Sequence, residues 1–157
     1  MEAVRRYPKL RAVIFDLSPP LEIAKGKISE SGFSDRIKTH PGNFFTDELP
    51  KGSDVILLSM ILHDWSPEKN LVTLRNCFNA LPSGGTVIVS ELMMDDDKTG
   101  PVSAALMSLN MLIETEGGCN YTWSEYTEWL KKTGFNNIKR VTIESPGANG
   151  ILVGYKS

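Results

Sequence analysis

The feature that most constrains this chain is the apolar run Val55-Ile56-Leu57-Leu58-Ser59-Met60-Ile61-Leu62, which stops abruptly at His63-Asp64-Trp65. Lys51-Gly52-Ser53-Asp54 bounds it on the other side. A short run rich in Ile, Leu and Val between turn residues reads, over its first half, as a strand buried on both faces, the environment that parallel sheets provide. The run is far too short to cross a bilayer as a helix, which needs about 20 apolar residues.

The rest of the chain alternates strand-like and helix-like stretches. Leu10 to Phe15 is a β-rich run closed by Asp16, and Ser18-Pro19-Pro20 turns the chain into a helix expected over 21–31 and ended by Gly32. Arg36 to His40 is extended, with a break at Pro41-Gly42-Asn43. After the central run, Ser66 is a natural N-cap, Pro67 suits the first helical position and Glu68 favours the positive end of the helix dipole. Leu71, Leu74, Phe78 and Leu81 then recur at helical spacing up to Pro82-Ser83-Gly84-Gly85. Thr86 to Ser90 is a second buried strand closed by Glu91, and an apolar helix is expected over 102–113. Thr122 and Glu125 form a T-x-x-E capping box for a helix closed by Gly134. Two β-like runs, 138–144 and 151–155, joined by the hairpin-type connection 145–150, complete the chain. The pattern is that of an α/β protein with a mostly parallel sheet and an antiparallel C-terminal hairpin, and it shows no domain boundary.

Composition removes several function classes. With 157 residues, 17 Lys+Arg against 19 Asp+Glu and a net charge of −2, the chain suits one domain with a sizeable core and has no basic footprint for nucleic acid. Its first residues do not read as a signal peptide, and its two cysteines form neither a disulfide framework nor a CxxC pair, so a cytoplasmic location and no membrane association are expected. No His/Cys/carboxylate set has zinc-ligand spacing, Asp95-Asp96-Asp97 reads as a solvated acidic loop, and no metal site is expected. Neither Gly84-Gly85 nor Gly117-Gly118 fits a dinucleotide fingerprint, and Ser90-Glu91 lacks a hydrolase nucleophile elbow.

In open parallel sheets, ligands bind beyond the carboxyl ends of the strands. Asp16, His63-Asp64 and Glu91 fall there. Asp16 could receive ribose hydroxyls or simply cap the next turn, and position alone favours the cap. His63 has a carboxylate beside it and an ordinary pKa near 6.5, which suits a general base, with Glu91 available to fix its tautomer. On residues alone, that role and a structural histidine capping the following helix are evenly matched. Met60, Met93, Met94, Met107 and Met111 read as core by default, or as an adaptable lining for a planar ligand.

The run Ile61-Leu62-His63-Asp64-Trp65-Ser66-Pro67-Glu68 resembles the LHDWSDE signature of class I S-adenosylmethionine-dependent O-methyltransferases, in the branch of plant caffeic acid, acetylserotonin and bacterial polyketide enzymes. Phe15-Asp16-Leu17, Gly42-Asn43-Phe44-Phe45, Asn79 to Gly85, Ser108 to Leu112, and Gly117-Gly118 followed by Thr122 and Tyr126 resemble further motifs of the same family, so the likeness spans nearly the whole chain.

That resemblance implies a Rossmann-like methyltransferase fold with S-adenosylmethionine as cofactor. Asp16 and Leu17 would lie at its ribose, Asn43 and Phe44 at its adenine, and Ser59 and Asp64 along its pocket. His63 would be the base that removes an acceptor proton, Glu91 its orienting partner, and Asn120 would stand where relatives place a second orienting carboxylate. Met107, Asn110 and Met111 would border a small hydroxylated, aromatic acceptor. Asn43 replaces the family's acidic residue and Ser59 its frequent lysine.

The family's glycine-rich turn and the strand before it are expected to precede Met1. Residues 1–157 would then form a partial, N-terminally truncated catalytic domain, with 1–7 as the end of a helix. In the family's strand order 3-2-1-4-5-7-6 the missing strand is central. The gap leaves a fragment of a longer product, a partner chain that fills it by homodimerisation or strand exchange, or direct pairing of strands 2 and 4. The alternative to an enzyme is a truncated, non-catalytic interaction or assembly module, with a dehydrogenase a distant third.

Overall fold

The computed structural model describes residues 1–145 and 147–157, arranged in two compact units, Met1–Pro50 and Lys51–Ser157. The first unit contains α1 (Glu2–Arg6), β1 (Ala12–Asp16), α2 (Ser18–Ser31) and β2 (Ile37–Pro41). β1 and β2 pair in parallel, with Asp16 opposite Pro41. Val4, Ile28 and Ile37 form the centre of its core, with Ala12 and Phe33 packed against them. Arg36 fastens α1 by donating to the carbonyls of Val4 and Pro8 at 2.8 and 3.0 Å. α2 begins at Ser18, earlier than expected, because its two prolines occupy the first turn, where their missing N–H groups cost no hydrogen bond.

The second unit contains β3 (Val55–Ser59), a short 3-10 turn (Leu62–Asp64), α3 (Pro67–Ala80), β4 (Thr86–Glu91), α4 (Val102–Glu114), α5 (Trp123–Thr133), β5 (Asn136–Thr142) and β6 (Gly150–Tyr155). Its sheet runs β3-β4-β6-β5; β3 and β4 are parallel, while β6 lies antiparallel to both β4 and β5. The fold is therefore α/β, with parallel pairing first and antiparallel strands at the C-terminus, in the 4-5-7-6 order that the resemblance implies. β1 and β3 belong to different sheets. The connection 145–150 includes Pro146, which lies outside the described residues.

Caps expected from the sequence are in place. Ser66 accepts the Lys69 N–H, and Thr122 and Glu125 complete a reciprocal capping box. One expectation is corrected: β3 is not buried on both faces. Val55 and Leu57 are 45% and 61% exposed while Ile56 and Leu58, which alternate with them, are half-buried, so one face of the strand is left uncovered. No helix among the described residues is long and apolar enough to cross a membrane.

Candidate active site

The site grows out of the way the apolar run ends. Met60, at φ 55°, turns the chain out of β3 while its N–H still bonds to Ser90 O at 2.9 Å. The next residues close into the 3-10 turn that carries His63 and Asp64. Such a turn leaves backbone N–H groups without helical partners. Glu91, the last residue of the neighbouring strand β4, supplies them: one carboxylate oxygen accepts the Ile61 and Leu62 N–H groups at 2.9 and 2.8 Å. Its other oxygen lies 2.6 Å from His63 Nδ1.

Glu91 is fully buried and His63 is 5% exposed. Burial pushes the His63 pKa down, while the Glu91 hydrogen bond and the charges of Glu91 and Asp64 push it up, and the upward causes prevail. His63 Nε2 lies 3.3 Å from the Asp64 carboxylate, which is partly exposed. With Nδ1 fixed by Glu91, Nε2 is the nitrogen left for an incoming proton.

Residues that sequence reasoning missed hold the turn in place. Asn70 on α3 donates to Leu62 O and Trp65 O at 2.8 and 3.1 Å, and the Tyr121 hydroxyl donates to Trp65 O at 2.6 Å. Gly118 passes so close that an added Cβ would collide with the backbone of His63 and Asp64 and with Thr115 Oγ1. Asn70 carried a signal in the sequence, a polar residue on the otherwise apolar stripe of α3. Gly118 stood within the Gly117-Gly118 motif without any sign of this contact, and Tyr121 carried no signal, since both roles exist only through tertiary contact.

Asn120 is buried beside the strand that ends in Glu91, donating to Leu92 O at 2.5 Å, and its N–H bonds to Ser108 Oγ on α4. Its Oδ1 and the hydroxyl of Tyr126 have no hydrogen-bond partner among the described residues. α4 packs on the 3-10 turn. Met111 is buried, Met107 packs on the Leu92–Met94–Ala104 cluster, and Asn110 faces solvent. Ser59 is exposed at the end of β3. Asp96 of the acidic loop binds the backbone and hydroxyl of Ser124 at the start of α5, which holds its carboxyl below the usual range. No metal-binding group of three or more His, Cys, Asp or Glu residues exists among the described residues.

The first unit gathers the remaining candidates at the carboxyl end of its sheet. Asp16 Oδ1 caps the chain at Leu17 N, 2.7 Å away, and Gly42 N donates to Asp16 O at 2.9 Å. Leu17 is exposed. Asn43 Oδ1 accepts the Phe45 N–H at 3.0 Å, and the rings of Phe44 and Phe45 lie 4.5 Å apart. Asp16, Leu17, Asn43 and Phe44 thus cluster in one unit, and His63, Asp64, Glu91 and Asn120 in the other.

A Rossmann-like strand order, with a histidine–carboxylate pair at a strand end, defines a class rather than one reaction. The match that gives the class its name is a family model for the O-methyltransferase domain, which covers residues 1–136, and the chain belongs to that family. It is 49% identical over its whole length to the 3-hydroxy-5-methyl-1-naphthoate 3-O-methyltransferase of Streptomyces sahachiroi, covering 45% of that protein. It is 40% identical over 95% of its length to the L-tyrosine C(3)-methyltransferase of Streptomyces lavendulae, covering 42% of it. Among solved structures, PigF with SAH matches 99% of the chain with a TM-score of 0.92 and 36% identity, over 46% of that chain. The chain therefore spans about half the length of the curated relatives it matches.

Proposed function

We propose that this chain is the catalytic portion of an S-adenosylmethionine-dependent enzyme that methylates a hydroxyl of a small aromatic acceptor, with His63 as general base. The buried His63–Glu91 pair carries the reading: a carboxylate with no solvent exposure anchors one imidazole nitrogen at 2.6 Å and leaves the other for the acceptor. Glu91 fixes the ring and stabilises the imidazolium formed as Nε2 takes the proton. The names of two relatives, a naphthoate O-methyltransferase and a tyrosine methyltransferase, support an aromatic acceptor.

The residues of the first unit fit the cofactor's nucleoside. Asp16 uses one oxygen on Leu17 N, leaving the other for ribose hydroxyls, and Asn43 and Phe44 lie at the same end of the parallel pair, suited to an adenine. When bound, S-adenosylmethionine supplies an electrophilic methyl group on a sulfonium. Met107, Asn110 and Met111 would line the acceptor side, and Ser59 and Asp64 the cofactor side. In-line transfer gains most from alignment and exclusion of water, which rigid placement of His63 serves.

A second reading is methylation of a ring carbon, favoured by the 40% identity to a tyrosine C(3)-methyltransferase. The base role is common to both, because a deprotonated phenol is nucleophilic at oxygen and at its ortho carbon. Calorimetric titration of S-adenosylhomocysteine into this chain tests the cofactor assignment. Binding that Asp16→Ala weakens at least about tenfold, the scale of a lost charge-assisted hydrogen bond, supports it. A folded chain that takes up no S-adenosylhomocysteine would contradict cofactor binding by this chain alone and make it a fragment of the site or a non-catalytic module.

A further inference from the structure

His63 sits between two carboxylates, one at each ring nitrogen. Glu91 lies 2.6 Å from Nδ1 and Asp64 lies 3.3 Å from Nε2. The two differ in setting: the Glu91 side chain is wholly buried, while that of Asp64 is 39% exposed. A neutral imidazole has a hydrogen on one nitrogen only and no net charge; the imidazolium gives Glu91 an N–H and sets its positive charge 3.3 Å from the Asp64 carboxylate as well.

We propose that Asp64 is a positioning residue that holds the resting His63 as an imidazolium, so that the base stays charged until the Asp64 carboxylate moves off Nε2. This rests on the reading of His63 as the base. The charged groups acting on the ring are Glu91 from β4 and Asp64 from the turn itself. Tyr126 from α5 and Tyr121 from the segment before it are phenols whose pKa burial raises, Cys119 is a neighbouring thiol, and α4 carries no ionisable side chain between Val102 and Ile113. The ring's own raised pKa agrees with the clamp.

The proton balance has a consequence for acceptor choice. When a neutral hydroxyl replaces Asp64 at Nε2, one proton leaves to solvent past the partly exposed Asp64. A single proton then remains between Nε2 and the acceptor oxygen, either as hydroxyl on imidazole or as oxyanion on imidazolium. The same complex forms with no proton release when the acceptor arrives as its oxyanion. Hydroxyls acidified by an aromatic ring, with pKa about 10 for a simple phenol, are thereby favoured over alkanols.

The chain has only two histidines, His40 and His63, so the ring-nitrogen NMR signals of His63 can be assigned and titrated in histidine-labelled protein. We expect His63 to carry both ring N–H groups at pH 7 and to titrate above the ordinary 6.5. Asp64→Asn should lower that midpoint by about one pH unit, and Asp64→Glu should retain it. A His63 midpoint equal in wild type and Asp64→Asn, or a single ring N–H at pH 7 in the wild type, overturns the proposal. Because the titration reads the ring alone, a midpoint that falls in Asp64→Asn upholds the clamp even in a chain that takes up no S-adenosylhomocysteine. An unmoved midpoint in a chain that does bind it rejects the clamp and leaves the functional reading intact.

Discussion

At the scale of single residues, Glu91 combines stability and chemistry, since the same carboxylate receives two backbone N–H groups of the 3-10 turn and the His63 ring. Truncation to Ala would leave those donors buried without an acceptor, and breaking a buried charged pair costs about 3–5 kcal/mol. Urea denaturation of Glu91→Ala should show a loss of that size. His63 adds a pH dependence whose sign follows from its raised folded-state pKa. Its contribution is fully present below the unfolded value near 6.5 and is lost as pH rises through the folded value. Stability measured from about pH 6 upward should therefore decline on account of His63, and the decline should flatten in His63→Gln. His63, Asp64 and Glu91 were legible in the sequence because each is a polar residue that ends a buried strand or run. The supporting contacts of Tyr121 and Gly118 were not, because nothing local shows that a residue's partner is a backbone atom more than fifty residues away.

At the scale of elements, the helices announced themselves through their ends. The Ser66 N-cap and the Thr122–Glu125 box are short-range chemistry, settled within four residues, and both formed as read. Thr122→Ala should destabilise the second unit by about 1 kcal/mol, measured by denaturant unfolding, as for other N-caps. The segment after α4 makes a sharper test. Gly118→Ala would drive a methyl group into the His63–Asp64 backbone, and overpacking of this kind costs about 1–3 kcal/mol. We expect that loss together with a displaced His63 ring resonance; an unperturbed resonance would mean that the segment does not support the turn. The burial of β3 was misjudged for a physical reason. A strand's apolar composition reports the surroundings it can occupy, whereas its exposure depends on whether each face of the sheet is covered, and the face carrying Val55 and Leu57 is not.

At the scale of the whole molecule, the order β3-β4-β6-β5 followed from the family resemblance and not from periodicity, because hydrophobic pattern identifies strands without saying which ones pair. The division into two compact units left no trace in composition, since the segment around Pro50 and Lys51 is ordinary turn sequence. The site candidates divide between those units as the strand ends do, with Asp16, Leu17, Asn43 and Phe44 at the ends of β1 and β2 and His63 on the turn after β3. The central claim is that His63, anchored by Glu91, takes the acceptor proton. Its most direct test is methyl transfer from labelled S-adenosylmethionine to a hydroxylated aromatic acceptor by the full-length protein, wild type against His63→Ala. We expect turnover to fall by about 10²- to 10⁴-fold, the usual share of general-base catalysis, with S-adenosylhomocysteine affinity retained. Turnover that survives His63→Ala unchanged would contradict the role assigned to His63.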